Sequence, residues 1–183
     1  MNEKTQILFN PFRYIAGYAG FLLGIGIIFL LSFVSWITGT HQFGVLRFRL
    51  ASDTTFLYFL FDHFIHWILV STFLYLAGLI FSSSKIRWID IAGTSAISRA
   101  PLVLFPLIRL IPYFQSFITR YSIHFLLLTS IHIIIVIWSI ALLYNAFRIS
   151  CNLVRQKSAM AFIICILLAE IITQLFIFLV YKY

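Results

Sequence analysis

The sequence predicts an all-α, polytopic bundle embedded in a membrane, and three observations carry that prediction. Hydrophobic residues make up 62% of the 183 and charged residues only 10%, where a soluble domain has about a quarter charged. Mean hydropathy is +1.04. The apolar residues also fall into runs long enough to cross a bilayer, about 20 residues for roughly 30 Å of hydrocarbon. A chain with so few charges cannot cover its own surface in water, and no stretch is long and polar enough to build a soluble catalytic domain.

The first span is expected over residues 14–38, within a stretch from Tyr14 to Leu46 that holds no formal charge. Asn10-Pro11 before it is a good helix start, since Asn caps free N–H groups and Pro suits the first turn. The run is too long for a cleaved signal peptide and lacks a small-residue cleavage site, so it reads as a retained helix. Leu46-Arg47-Phe48-Arg49-Leu50 alternates as a short interfacial strand or hairpin would; a loop with two anchoring arginines is the other reading. The second span covers 56–81 and is interrupted only by Asp62, His63 and His66. Ser82-Ser83-Ser84-Lys85 is a polar turn, and Ile86, Ile89 and Gly93 after it have the spacing of a short interfacial helix.

The third span, over 93–113, is the irregular one. It contains Arg99, Arg109 and three prolines, Pro101, Pro106 and Pro112. Proline removes backbone hydrogen bonds, and such breaks persist in a bilayer only where neighbours re-satisfy the backbone. A kinked crossing is expected, with a re-entrant hairpin as the alternative. The fourth span covers 122–147 and the fifth 158–181, with Glu170 near its centre. Five spans with the N-terminus inside place Lys4, Arg13, Lys85, Arg87, Arg99, Arg148, Arg155 and Lys157 on the cytoplasmic side. Arg47, Arg49, Arg109, Arg120 and Lys182 are then outside. The bias supports an inside N-terminus but does not choose between four and five spans, because both give the same split.

Net charge of +8 would suggest nucleic acid in a soluble protein. Here the cations lie between apolar runs, beside lipid headgroups, and no nucleic-acid partner is expected. The two cysteines, Cys151 and Cys165, match no metal or redox spacing. No HExxH, GxSxG, P-loop, GxGxxG or CxxC occurs, so no catalytic residue, cofactor or metal is assigned and the chain reads as non-enzymatic.

Ionisable groups at bilayer depth are costly and mark candidate sites by default. The candidate cluster is Asp62, His66, Asp90, Arg99 and Glu170, with His63, His124 and His132 also at depth. Asp62 and His66 stand four apart and share a helical face. One reading is a proton relay or a divalent-metal site with Glu170 as third ligand. The other is structural: a polar cluster that holds helices together, with Arg99 clamping the third span to Asp90 or Asp62, or reaching Glu170. Near Pro101, Arg99 is also expected to satisfy the carbonyl that the proline frees. Gly17, Gly20, Gly24, Gly93 and Pro101 are the helix-packing candidates. Gly20-Phe21-Leu22-Leu23-Gly24 is a GxxxG, either an intramolecular contact or a homodimer seam.

Two segments carry a resemblance. Leu8-Phe9-Asn10-Pro11-Phe12-Arg13-Tyr14-Ile15-Ala16 resembles bacterial members of the Ypt-interacting protein (YIP) domain family. So does Ser84-Lys85-Ile86-Arg87-Trp88-Ile89-Asp90-Ile91-Ala92-Gly93-Thr94, running on through Arg99-Ala100-Pro101. For bacterial members the resemblance implies a membrane fold of this kind, such as in the bacterial inner membrane, and no settled activity. The leading expectation is a non-enzymatic organiser or adaptor of other membrane components in the YIP manner, on the absence of a catalytic constellation and the short loops, with a membrane-protein partner or a homodimer and the lipid bilayer around it. Eukaryotic relatives bind Rab-type GTPases, many through a long cytosolic N-terminal region, of which this chain has about a dozen residues. The rival expectation is a small transporter or channel component built on Asp62, His66, Arg99 and Glu170.

Overall fold

The computed structural model describes residues 11–13, 15, 17–42, 48–50, 55–112, 123–153 and 155–181. After a 3₁₀ turn at Pro11–Arg13, helix α1 spans Gly17–Thr38. A two-stranded antiparallel hairpin follows, β1 at Thr40–Gln42 and β2 at Phe48–Leu50, with His41 opposite Arg49. Helix α2 is Phe56–Phe81 and α3 is Trp88–Ile97. A 3₁₀ turn at Ala100–Val103 leads into the short α4, Leu104–Ile108; α5 is Ile123–Ser150 and α6 is Arg155–Tyr181.

Five helical stretches are long and apolar enough to cross a membrane, α3 and α4 counting together as Trp88–Ile108. The all-α membrane bundle is therefore what the chain builds. Of the alternating segment, Phe48–Leu50 forms the second strand of the hairpin, while Leu46 and Arg47 lie outside the described residues. The third span differs from expectation in its bounds. The stretch long and apolar enough to cross begins at Trp88, not Gly93, so Ile89 and Gly93 lie on one helix, α3, at its start.

That third span is the axis of the fold. In its most apolar window 78% of residues are buried, against 39% in α1 and α2 and 28% in the last two spans. Without water there is no hydrophobic drive for helices to associate, so close approach must come from small side chains. Gly24 of α1 faces α3 so tightly that an added Cβ would lie 2.5 Å from the Ala96 Cβ and 2.9 Å from the Gly93 carbonyl oxygen. A Cβ on Gly93 would lie 2.7 Å from the Phe21 backbone nitrogen and 3.0 Å from the Gly20 carbonyl carbon. The GxxxG face is thus occupied within the chain. Gly17 departs from the expected packing role: nothing lies within 4 Å of its Cβ position, and what it needs glycine for is its φ of +69°.

Helix α6 packs chiefly on α2 and less on α5. Val70, Leu74 and Ala77 of α2 meet Phe147 of α5 and Ala161, Phe162, Cys165 and Ala169 of α6 in one apolar cluster. Gly78 lets Ile86 and Cys151 close in at the end opposite the hairpin. Cys151 sits there in a turn. Burial, with Cys165 nearby, pushes its thiol up to about 12, leaving it a protonated small hydrophobe rather than a nucleophile.

Candidate functional site

Helix α2 supplies the first part of the site. Asp62, His63 and His66 stand six, seven and ten residues beyond Phe56, about 9 to 15 Å along the axis. All three are buried. The hairpin folds His41 back over them, its Nδ1 2.8 Å from Asp62 Oδ2 and its ring 4.8 Å from that of Phe59. That approach is out of line for a hydrogen bond at Nδ1, and it becomes an ion pair when the imidazole is protonated. Ser35 of α1 reaches His63 Nε2 at 3.4 Å. Arg99, at the break after α3, is near enough to act electrostatically on both His63 and His66. His41, Asp62, His63, His66 and Arg99 therefore converge between α1, α2, α3 and the hairpin, and none is more than 8% exposed.

Hydroxyls continue this line along α3 toward the other end of the bundle. Ser139 of α5 donates to the Ser98 carbonyl at 2.9 Å, so a serine from a neighbouring helix serves a carbonyl at the break, one residue beyond the Ile97 carbonyl that Arg99 was expected to satisfy. Ser98 donates to the Ser95 carbonyl, and Ser95 pairs with Ser71 of α2 at 2.7 Å. Trp67 Nε1 donates to the Ala92 carbonyl at 2.9 Å, and Thr94 meets Ser150 of α5 at 3.0 Å. Each contact fills a donor or acceptor that hydrocarbon could not fill.

At the far end Asp90 closes the line, but not with Arg99. Its carboxylate accepts from Arg87 Nε and Nη2 at 2.8 and 3.1 Å and from the Gly17 backbone N–H at 3.1 Å. The hydrogen bond and charge of Asp90 hold the exposed Arg87 guanidinium above its ordinary range. The physical reason is depth: Arg99 stands nine residues further on, about 13 Å up the helix. The Gly17 contact explains the positive φ, which turns the first N–H of α1 toward the carboxylate.

Of the expected cluster, then, Asp62, His66 and Arg99 come together while Asp90 and Glu170 stand apart. Glu170 accepts a hydrogen bond from Gln174 Nε2 at 3.0 Å on its own helix. With Ile171, Gln174 and Leu175 it lines an open depression of about 480 Å³. Among the described residues no three His, Cys, Asp or Glu are placed to hold a metal, so the set Asp62, His66 and Glu170 does not form one. His132 packs edge-on against Phe105, ring centroids 4.4 Å apart; the side chain of His124 lies outside the described residues. Sequence reasoning missed His41, which no helical spacing could link to Asp62, and the serine line, whose residues look like ordinary small polar positions. Comparison of the chain with protein-family models, with curated proteins and with solved structures finds no match in any of the three.

Proposed function

We propose that this multi-pass membrane protein is a non-enzymatic, YIP-like organiser or adaptor of other membrane components, with its N-terminus cytoplasmic, in a bacterial inner membrane. One observation carries the reading. The polar groups at bilayer depth around α3 are sealed between the chain's own helices, while α5 and α6 turn broad apolar faces outward, among them Ile133, Ile134 and Ile137 of α5 and Ile163, Leu167 and Ile171 of α6. Sealed polar contacts specify which helices meet, and outward faces are what other membrane components meet. Recovery of reproducible membrane-protein partners from native membranes in mild detergent is the expected outcome. An empty pull-down with the chain folded overturns the adaptor role. A topology reporter fused after Tyr183 is expected to read as external, and a cytoplasmic reading would sink the five-crossing arrangement.

The second reading is a proton or ion pathway, favoured by the convergence of His41, Asp62, His63, His66 and Arg99 in one line. Chains of Asp and His at bilayer depth can relay protons, and helices broken near the midplane often accompany transport. Among the described residues Nδ1 of His66 is buried without a well-formed side-chain hydrogen bond, with the Asp62 backbone acting on the ring; a proton could be passed there. Proteoliposome flux that disappears in folded Asp62→Asn and His66→Gln variants would establish this reading. No flux in the unaltered chain ends it.

A further inference from the structure

The third span and its flanks carry three arginines, and the fold treats each of them differently. Arg87, just before its start, is exposed and bonds to Asp90. Arg99, at the break, is 5% exposed and belongs to the sealed cluster. Arg109 caps the end of α4, directly after Ile108, the last residue of the crossing. It is only partly exposed, and its Nε is buried with no acceptor for its hydrogen. Among the described residues no carboxylate pairs with it. Burial holds its guanidinium below the ordinary range.

The position of Arg109 says what surrounds it. Trp88 and Arg87 mark one boundary of the span, as tryptophan and cations do where hydrocarbon gives way to headgroups. The 21 residues of Trp88–Ile108 lie between that boundary and Arg109, about 31 Å of contour at 1.5 Å per residue. The hydrocarbon core is roughly 30 Å thick. Arg109 therefore stands at the opposite headgroup layer, the external one in the topology proposed above. Its neighbours agree: Leu107, Leu110 and Ile111 are 40%, 44% and 49% exposed, large apolar side chains suited to acyl chains.

We propose that Arg109 binds the phosphodiester of a membrane phospholipid, whose acyl chains lie along Leu107, Leu110 and Ile111. A guanidinium does not shed its proton when it lacks a partner, so it needs an acceptor. Its planar fork matches two phosphate oxygens and makes charge-assisted bonds that an uncharged lipid cannot supply. Binding that turns Nε toward the phosphate also fills a donor that the folded chain leaves empty, and an empty buried donor is costly. A free phosphate ion offers the same oxygens but nothing to cover the apolar side chains around them, which favours lipid over solute.

The inference goes beyond both readings above, and it is read on the purified chain whatever the pull-down or the flux shows. The test uses the full-length chain in neutral detergent, titrated with short-chain phosphatidylglycerol while its unfolding midpoint is followed. The midpoint is expected to rise with lipid, as binding to the folded state requires. Diacylglycerol of the same chain length, which lacks the phosphate, should not raise it. Arg109→Gln should bind phosphatidylglycerol about tenfold more weakly or worse, the worth of a hydrogen bond to a charged group. Arg109→Lys, which keeps the charge and loses the fork, should fall between. In lipid-free detergent Arg109→Gln should unfold at the same midpoint or a higher one, because no internal partner is lost. A photoreactive phosphatidylglycerol should crosslink at Leu107, Leu110 or Ile111 in the unaltered chain and in Arg87→Gln, but not in Arg109→Gln. Unchanged lipid affinity in Arg109→Gln overturns the proposal. So does a lower lipid-free midpoint for that variant, which would reveal a partner within the chain. An equal rise with inorganic phosphate alone would assign the site to a free ion and overturn the lipid; an equal rise with diacylglycerol would remove the phosphate from it.

Discussion

Helices α3 and α6 both place polar side chains deep in the bilayer, yet they use them in opposite ways. Residues 91–99 are buried without interruption, and the hydroxyls of Thr94, Ser95 and Ser98 each bond to a carbonyl or another hydroxyl. In α6 Gln174 donates to Glu170 one turn away, and the two line an open depression with Ile171 and Leu175. The residue types alone do not explain the difference. Neighbours do: α3 is small enough, with Gly93, Ala92 and Ala96, for α1, α2 and α5 to crowd round it, whereas α6 meets the bundle along one stripe only. A polar residue at depth is therefore a statement about which helix stands opposite.

The largest effect that could break this contrast comes from the sealed line. Asp62 is the carboxylate among His41, His63, His66 and Arg99, and it is 8% exposed. Removing it leaves His41 buried without the carboxylate that stands 2.8 Å from its Nδ1. Asp62→Ala should cost about 3–5 kcal/mol, as breaking a buried charge pair does elsewhere, read from unfolding of the purified chain in detergent. A loss well below 1 kcal/mol would mean that the line is not energetically sealed.

A smaller effect tests the close approach that creates the line. The added methyl of Gly24→Ala would collide with Ala96 and with the Gly93 carbonyl, and backbone cannot move as a flexible side chain can. Overpacking of this kind costs about 1–3 kcal/mol. Gly26→Ala on the same helix has nothing within 4 Å and should be neutral or stabilising by up to about 1 kcal/mol, because alanine loses less entropy than glycine in a helix. Equal unfolding midpoints for the two variants would remove packing as the reason for the buried α1–α3 seam.

Much of this was legible beforehand. Hydropathy located the second span to the residue and the first, fourth and fifth close to where they lie, because apolar run length is a direct reading of bilayer thickness; the third, broken by prolines, lies about five residues earlier than expected. The spacing of Gly20 and Gly24 announced a close helix contact. What could not be read was which helix filled it, since sequence spacing describes one face and not the partner. For the same reason Asp90 was grouped with Arg99 when its partners are Arg87 and the start of α1. His41 was invisible because a hairpin, not a helical repeat, carries it to Asp62. Ser139 had no mark at all: only the break after Ile97 creates the carbonyl it serves.

The smallest effect is expected on the other side of the comparison, and it is the most discriminating. If α6 turns Glu170 and Gln174 outward, their loss should scarcely touch the stability of a single copy. Replacing both with leucine removes the hydrogen bond between Gln174 Nε2 and Glu170 Oε1, and hydrogen bonds of this kind are worth little in a bilayer because the unfolded helix finds alternative partners. In exchange it places two good helix formers against lipid. The two terms oppose each other, so the net change for the monomer in detergent should lie within about 0.5 kcal/mol of zero, as for ordinary surface substitutions. The same replacement at α3 and its C-cap, Ser95→Leu with Ser98→Leu, would force large side chains into positions that are 2% and 1% exposed and strand the Ser71 hydroxyl that Ser95 meets. There the loss should be several times larger, since overpacking and an orphaned polar group each cost about 1–3 kcal/mol. Comparable losses on α3 and α6 would show that Glu170 and Gln174 are internal contacts of the bundle, and the distinction between a sealed helix and an outward one would fall.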